Sequence, residues 1–149
     1  MALEYRLTLD GMTPVEEVAR RALPDPEERP TGIPPVLSAD LLDRYGFSVS
    51  VRAGQNGYVD VDSDQGAWEW EPKDYVSITF RMDKFADPAW EVINMVTIVR
   101  RVLTTGPEDA VLVVNGDMLL FTRLGGELVK HRRDRWWTTF AAANDLIRG

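Results

Sequence analysis

The sequence predicts a single α+β domain over residues 1–149, a mainly antiparallel sheet with helices packed on one face. Three observations lead there. Several stretches alternate apolar and polar residues with a period of two, the pattern of strands with one buried and one solvated face. Two segments carry helix start and stop signals. Two glycine-containing dipeptides between apolar runs mark tight hairpins. Size agrees: 149 residues, 44% hydrophobic and 28% charged, suffice for one core without cross-links.

The elements follow in order. Leu3, Tyr5, Leu7 and Leu9 alternate with Glu4, Arg6, Thr8 and Asp10, a half-buried strand. Thr13-Pro14-Val15-Glu16 reads as an N-cap, a proline at the first helical position and a capping-box glutamate. That helix turns Val15, Val18, Ala19 and Ala22 inward and stops before Pro24. Residues 24–35 hold five of the nine prolines and read as a semi-rigid surface loop within the domain. A short helix is expected over Ser38–Arg44, with Gly46 as its stop.

Phe47–Arg52, Gly57–Asp62 and Tyr75–Met82 alternate again and read as antiparallel strands. Asp87-Pro88 opens a helix reaching about Thr105, where Gly106-Pro107 ends it. Trp90, Val92, Ile93, Met95, Val96, Ile98, Val99, Val102 and Leu103 cover most of its circumference, leaving a polar stripe through Asn94, Thr97, Arg101 and Thr104. Val111–Val114, Met118–Arg123 and Glu127–Lys130, joined by Asn115-Gly116 and Gly125-Gly126, form a meander. Trp136, Phe140, Ala143 and Ile147 recur at helical spacing and close the chain.

Composition removes several function classes. The chain has no cysteine, so thiol catalysis and cysteine-ligated metals are excluded. Its net charge of −7 argues against general binding of nucleic acid or anionic membrane. No signal peptide and no membrane-spanning apolar run is read, and the lack of cysteine suits a reducing compartment. Arginine outnumbers lysine 14 to 3, which reads as compositional bias, with anion recognition as the alternative.

The acidity is local. Residues 56–74 carry Asp60, Asp62, Asp64, Glu69, Glu71 and Asp74 against Lys73 alone. Trp68 and Trp70 are interleaved with these acids, and Tyr58 precedes them. Such a composition suits capture of a basic protein: charge steers the encounter and aromatic rings anchor it. Alternatively, the tryptophans pack over a sheet edge while the acids keep the surface soluble. The candidate partner-binding set is therefore Tyr58, Asp60, Asp62, Asp64, Trp68, Glu69, Trp70, Glu71 and Asp74.

Asp60, Asp62, Asp64 and Glu71 also fall at positions 1, 3, 5 and 12 of a calcium loop, but Gln65 occupies the place that needs glycine. No catalytic residue, metal ligand or cofactor is assigned. His131, the only histidine, sits in Lys130-His131-Arg132-Arg133-Asp134-Arg135, a run read as a solvated turn feeding a helix with core tryptophans. The segment Leu112–Phe121 is apolar on both faces, so it is either central and covered or exposes a patch needing a partner or second subunit.

Three stretches together carry a likeness: Leu3-Glu4-Tyr5-Arg6-Leu7, Ala110-Val111-Leu112-Val113-Val114-Asn115-Gly116-Asp117 and Leu124-Gly125-Gly126-Glu127-Leu128. They resemble small bacterial proteins grouped with the immunity partners of the Sit (swarming-inhibition) toxins, and the likeness includes the helix after Asp87-Pro88. The resemblance implies a cytoplasmic, non-enzymatic protein that neutralises a cognate toxin by binding it. The alternative is a small-ligand binding domain or cofactor-free enzyme. Its pocket would lie between the sheet and the 87–105 helix, with Asn94 and Arg101 as convergent polar groups. A homo-oligomer packed through its sheet faces is a third reading.

Overall fold

The protein is described from a computed structural model covering residues 3–149. Ten strands form one sheet: β1 (Glu4–Asp10), β2 (Thr31–Ile33), β3 (Val36–Leu41), β4 (Phe47–Gln55), β5 (Val59–Ser63), β6 (Gly66–Trp70), β7 (Asp74–Met82), β8 (Ala110–Val114), β9 (Met118–Leu124) and β10 (Glu127–Lys130). Their order is β2-β3-β4-β7-β1-β8-β9-β5-β6, with β10 also on β9. Every pairing is antiparallel except one parallel bridge between Asp62 of β5 and Met118 of β9. The helices are α1 (Val15–Ala22), α2 (Leu42–Tyr45), α3 (Pro88–Thr104) and α4 (Ala141–Leu146), with a π-helical turn at Arg133–Trp137.

Strand alternation divides the sheet into two unlike faces. Tyr5, Leu7 and Leu9 of β1 share one face with Val49 and Val51 of β4, Ile78 and Phe80 of β7, and Leu112 of β8. Val92, Met95, Val96, Val99 and Val102 of α3 lie on them, and Val18 and Ala22 of α1 and Ala143 of α4 join the same core. Each fully buried Val, Leu, Ile, Phe or Met among them contributes roughly 1.5–3 kcal/mol. The fold class is thus the expected α+β sheet with helices on one face. The 110–130 meander forms as the sequence indicates.

Two of the fourteen arginines tie down the C-terminus of α3 and the loop after it. Arg21 grips Glu108 through two bonds of 2.6 and 2.9 Å and donates to the Val102 carbonyl at 2.7 Å. Arg123 donates to the carbonyls of Leu103, Gly106 and Glu108. These forks satisfy carbonyls that a helix end and its following loop leave without partners. The surrounding guanidinium and hydroxyl donors hold the Glu108 carboxyl down at about 2.

Several local expectations are corrected. Pro14, not Thr13, is the cap of α1, and no capping box forms because Thr13 donates to Glu108 at 2.9 Å. The proline-rich segment 24–35 is not all loop: Thr31–Ile33 pairs with residues 36–38 of β3 as a short edge strand, where prolines beside it disrupt no central ladder. Glu28 ties the rest down, accepting from the Tyr45 hydroxyl at 2.5 Å and pairing with Arg44 at 3.0 Å. The helix expected over Ser38–Arg44 is strand to Leu41, because Leu37, Ala39 and Leu41 alternate against Val51, Val49 and Phe47 of β4. One helical turn follows, and Gly46 ends it at φ 89° as expected. The closing helix is split into the π turn and α4. On α3 Val92, Met95, Val96, Ile98, Val99 and Val102 are buried as expected, and only the first turn departs: Trp90 is 39% exposed while Glu91 is 4% exposed. Among the described residues no helix is long and apolar enough to cross a membrane.

Candidate functional site

The acidic segment is a β-hairpin arm. The register pairs Val59 with Trp70, Asp60 with Glu69, Val61 with Trp68 and Asp62 with Ala67. Alternation then places Val59, Val61, Trp68 and Trp70 on one face and Asp60, Asp62 and Glu69 on the other. A tight turn through Asp64 and Gln65 closes the hairpin, helped by the Ser63 hydroxyl, which accepts from Gln65 N–H and donates to the Gly66 carbonyl.

The arm lies over the sheet face opposite the helices. Its apolar side covers Val111 and Val113 of β8 and Leu119 of β9. The two-faced apolar segment 112–121 is therefore central and covered, by helices on one side and the arm on the other. Trp68 and Trp70 stack at 6.4 Å with 23° between their planes, half-buried over this second cluster. One face of each is consumed by packing.

A clamp from the basic run holds the arm's tip. Arg132 donates to the Asp62 carboxylate at 2.6 Å, and its backbone N–H donates to Asp64 Oδ1 at 3.0 Å. The Asp64 N–H donates in turn to His131 Nδ1 at 3.2 Å. Burial pushes the His131 pKa down, against the opposing pull of Asp64. The expected solvated turn is thus only partly solvated. Lys130 is buried, with its ammonium on Asn144 Oδ1 at 2.7 Å and over the Trp137 ring at 4.6 Å. A buried ammonium needs such acceptors, and the last carbonyls of α4 supply them.

The predicted binding set consequently separates. Asp62 and Asp64 are engaged by the clamp. Asp60, Glu69 and Glu71 are exposed and form no ion pair among the described residues. Tyr58 is exposed and donates to Glu69 at 3.1 Å, a bond that raises the phenol's pKa. Asp74 lies elsewhere, half-buried opposite Gln55 beside a separate hollow of about 290 Å³. Asp60 and Glu69 face each other directly, an arrangement that like charges disfavour. As for calcium, the hairpin does not converge these carboxylates, and among the described residues no group of three metal-ligating side chains exists.

Between arm and sheet runs a groove of about 330 Å³, with Glu4, Arg6 and Thr8 as floor and Tyr58 and Asp60 as wall. Arg6 rests against Thr79 and Glu4, both at 3.4 Å. The alternation in the first strand marked Glu4, Arg6 and Thr8 as its solvated side. It could not show that Tyr58 and Asp60 stand above Arg6 in a second layer. The convergent polar pair expected on α3 is not available: Asn94 donates to the Tyr45 carbonyl and Arg101 to the Ala22 carbonyl.

This arrangement offers recognition chemistry: a carboxylate-bearing ridge beside an arginine-floored groove. A family model described as SitI3-like matches residues 3–141, from the strand β1 to the start of α4. No curated protein and no solved structure matches the chain. Because the match takes in the central sheet, the arm and α3 alike, the chain belongs to the SitI3-like family.

Proposed function

We propose that this protein is a non-enzymatic, immunity-type inhibitor that binds a basic toxin in the cytoplasm through the outer side of the β5–β6 arm. One observation supports it most: the arm spends its apolar side on the sheet and turns Asp60 and Glu69 outward, opposed to each other and without cationic partners among the described residues. Like charges so placed are disfavoured in the free protein and relieved by a cationic partner. Tyr58 and the outer edges of Trp68 and Trp70 complete the contact, with the Arg6 groove beside it. Inhibition is by occlusion, so it requires one inhibitor per toxin.

Stoichiometry tests this reading. Titrating the cognate toxin with the protein should abolish toxin activity at one equivalent and leave the toxin's mass unchanged. Inactivation by far less than one equivalent, with a covalent change in the toxin, would show an enzyme instead.

A further inference from the structure

At the end of the sheet where β1 begins, on the helix-bearing face, the 83–87 loop and the first turn of α3 enclose a cavity of about 190 Å³. Leu3, Tyr5, Met82, Val92 and Phe140 give it apolar walls, and Glu91 lines it too. The Glu91 side chain is deeply buried, and its Oε2 has no hydrogen-bond partner. A buried carboxylate oxygen without a partner is disfavoured, more so when charged, and a cationic donor would satisfy it. Its position also constrains a neighbour: a Cβ on Gly46 would lie 2.6 Å from Glu91 Cγ. Lys84 also lines the cavity, with its ammonium 5.1 Å from the ring centre of Phe85, which is 85% exposed. Asp83 and Asp87 lie near enough to act on Glu91 with their charge.

We propose that this cavity is an anchor pocket for one lysine or arginine side chain of a protein partner. The alkyl stem would lie on Leu3, Met82 and Phe140, and the cationic head would meet Glu91 Oε2. Apolar walls around a single acid are what an amphipathic cationic side chain needs. The volume argues for a side chain over a free metabolite, since ligand sites usually run to about 300–1,000 Å³. Desolvated pockets of this kind are where interface hot spots sit. Identifying the occupant as a protein side chain rests on the immunity reading above. Glu4 lines the arm's groove while Leu3 and Tyr5 line this cavity, so both open at the same end of β1 on opposite faces.

The test needs no toxin, so its outcome stands apart from that of the immunity reading. The full chain is titrated by two-dimensional NMR with the N-acetyl methylamides of lysine, arginine and norleucine. Saturable shifts at Leu3, Met82, Ala86 and Phe140 are expected for the two basic probes, with norleucine at least about tenfold weaker. E91Q should remove that preference. Equal binding of norleucine to the wild type, or no saturable shift at these residues, overturns the proposal whether or not E91Q folds.

Discussion

One face of the sheet is sealed by α1, α3 and α4 over a core that extends across six strands, whereas the other is covered only where the β5–β6 arm reaches. The helix side draws on large side chains that are wholly buried, such as Phe47, Phe80 and Ile78. The arm side rests on Val61 and two half-buried tryptophans, one parallel bridge and a surface clamp. The same chain thus holds a deeply packed half and a lightly fastened half. Binding surfaces are commonly drawn from the less stable part of a fold, where side chains are free to face a partner.

Core substitutions should separate the halves most sharply. Phe80→Ala is expected to cost about 3–5 kcal/mol and lower the denaturant midpoint of the whole molecule. Trp68→Ala should cost less, about 1–2 kcal/mol, and act locally. Hydrogen exchange would then quicken in β5 and β6 and stay slow in β7 and α3. Uniform acceleration after Trp68→Ala would show that the arm is part of the global core.

Next comes the ion pair that fixes α1 to the loop after α3. The Glu108 carboxyl is lowered to about 2 in the folded state, so its contribution is present above the unfolded value and lost as pH falls towards 2. Glu108→Gln should cost on the order of 3 kcal/mol at pH 7, where the side chain and Arg21 are each about 10% exposed. It should also flatten the stability profile between about pH 5 and pH 2, as followed by chemical denaturation. A wild-type slope retained in the variant would assign that acid sensitivity to other groups.

The smallest effects belong to the clamp. The Arg132–Asp62 pair is partly solvated, so Asp62→Asn should change global stability by no more than about 1 kcal/mol. His131 has a depressed pKa when folded. Its contribution is therefore complete above the ordinary value of 6.5 and is lost as pH falls below it. Protonated Nδ1 can no longer accept from the Asp64 N–H, so that amide should exchange faster in mild acid while core amides do not respond. An Asp64 amide indifferent to pH would remove His131 from the clamp.

How far the sequence reached follows the same division. Period-two runs such as Val76–Met82 and hairpin signals such as Asn115-Gly116 are local, and they gave the central strands and the meander correctly. β2, β3 and β6 escaped because their pairing partners, not their own residues, make them strands. Val36–Leu41 carries a weak alternation that only β4 completes. The acidic stretch was legible as a candidate surface, but its division was not. Asp62 and Asp64 differ from Asp60 only through Arg132 and His131, nearly seventy residues away along the chain. Glu91 was hidden for a related reason: its apolar neighbours come from β1, the 83–87 loop and Phe140.

That division supplies the most direct measurement. Stopped-flow association with the cognate toxin, recorded across a salt series, should separate the exposed acids from the clamped ones. The triple variant D60K/E69K/E71K should associate at least about tenfold more slowly at low salt, with a flatter salt dependence and unchanged thermal stability. Association as fast and as salt-sensitive as that of the wild type would contradict the arm as the binding surface.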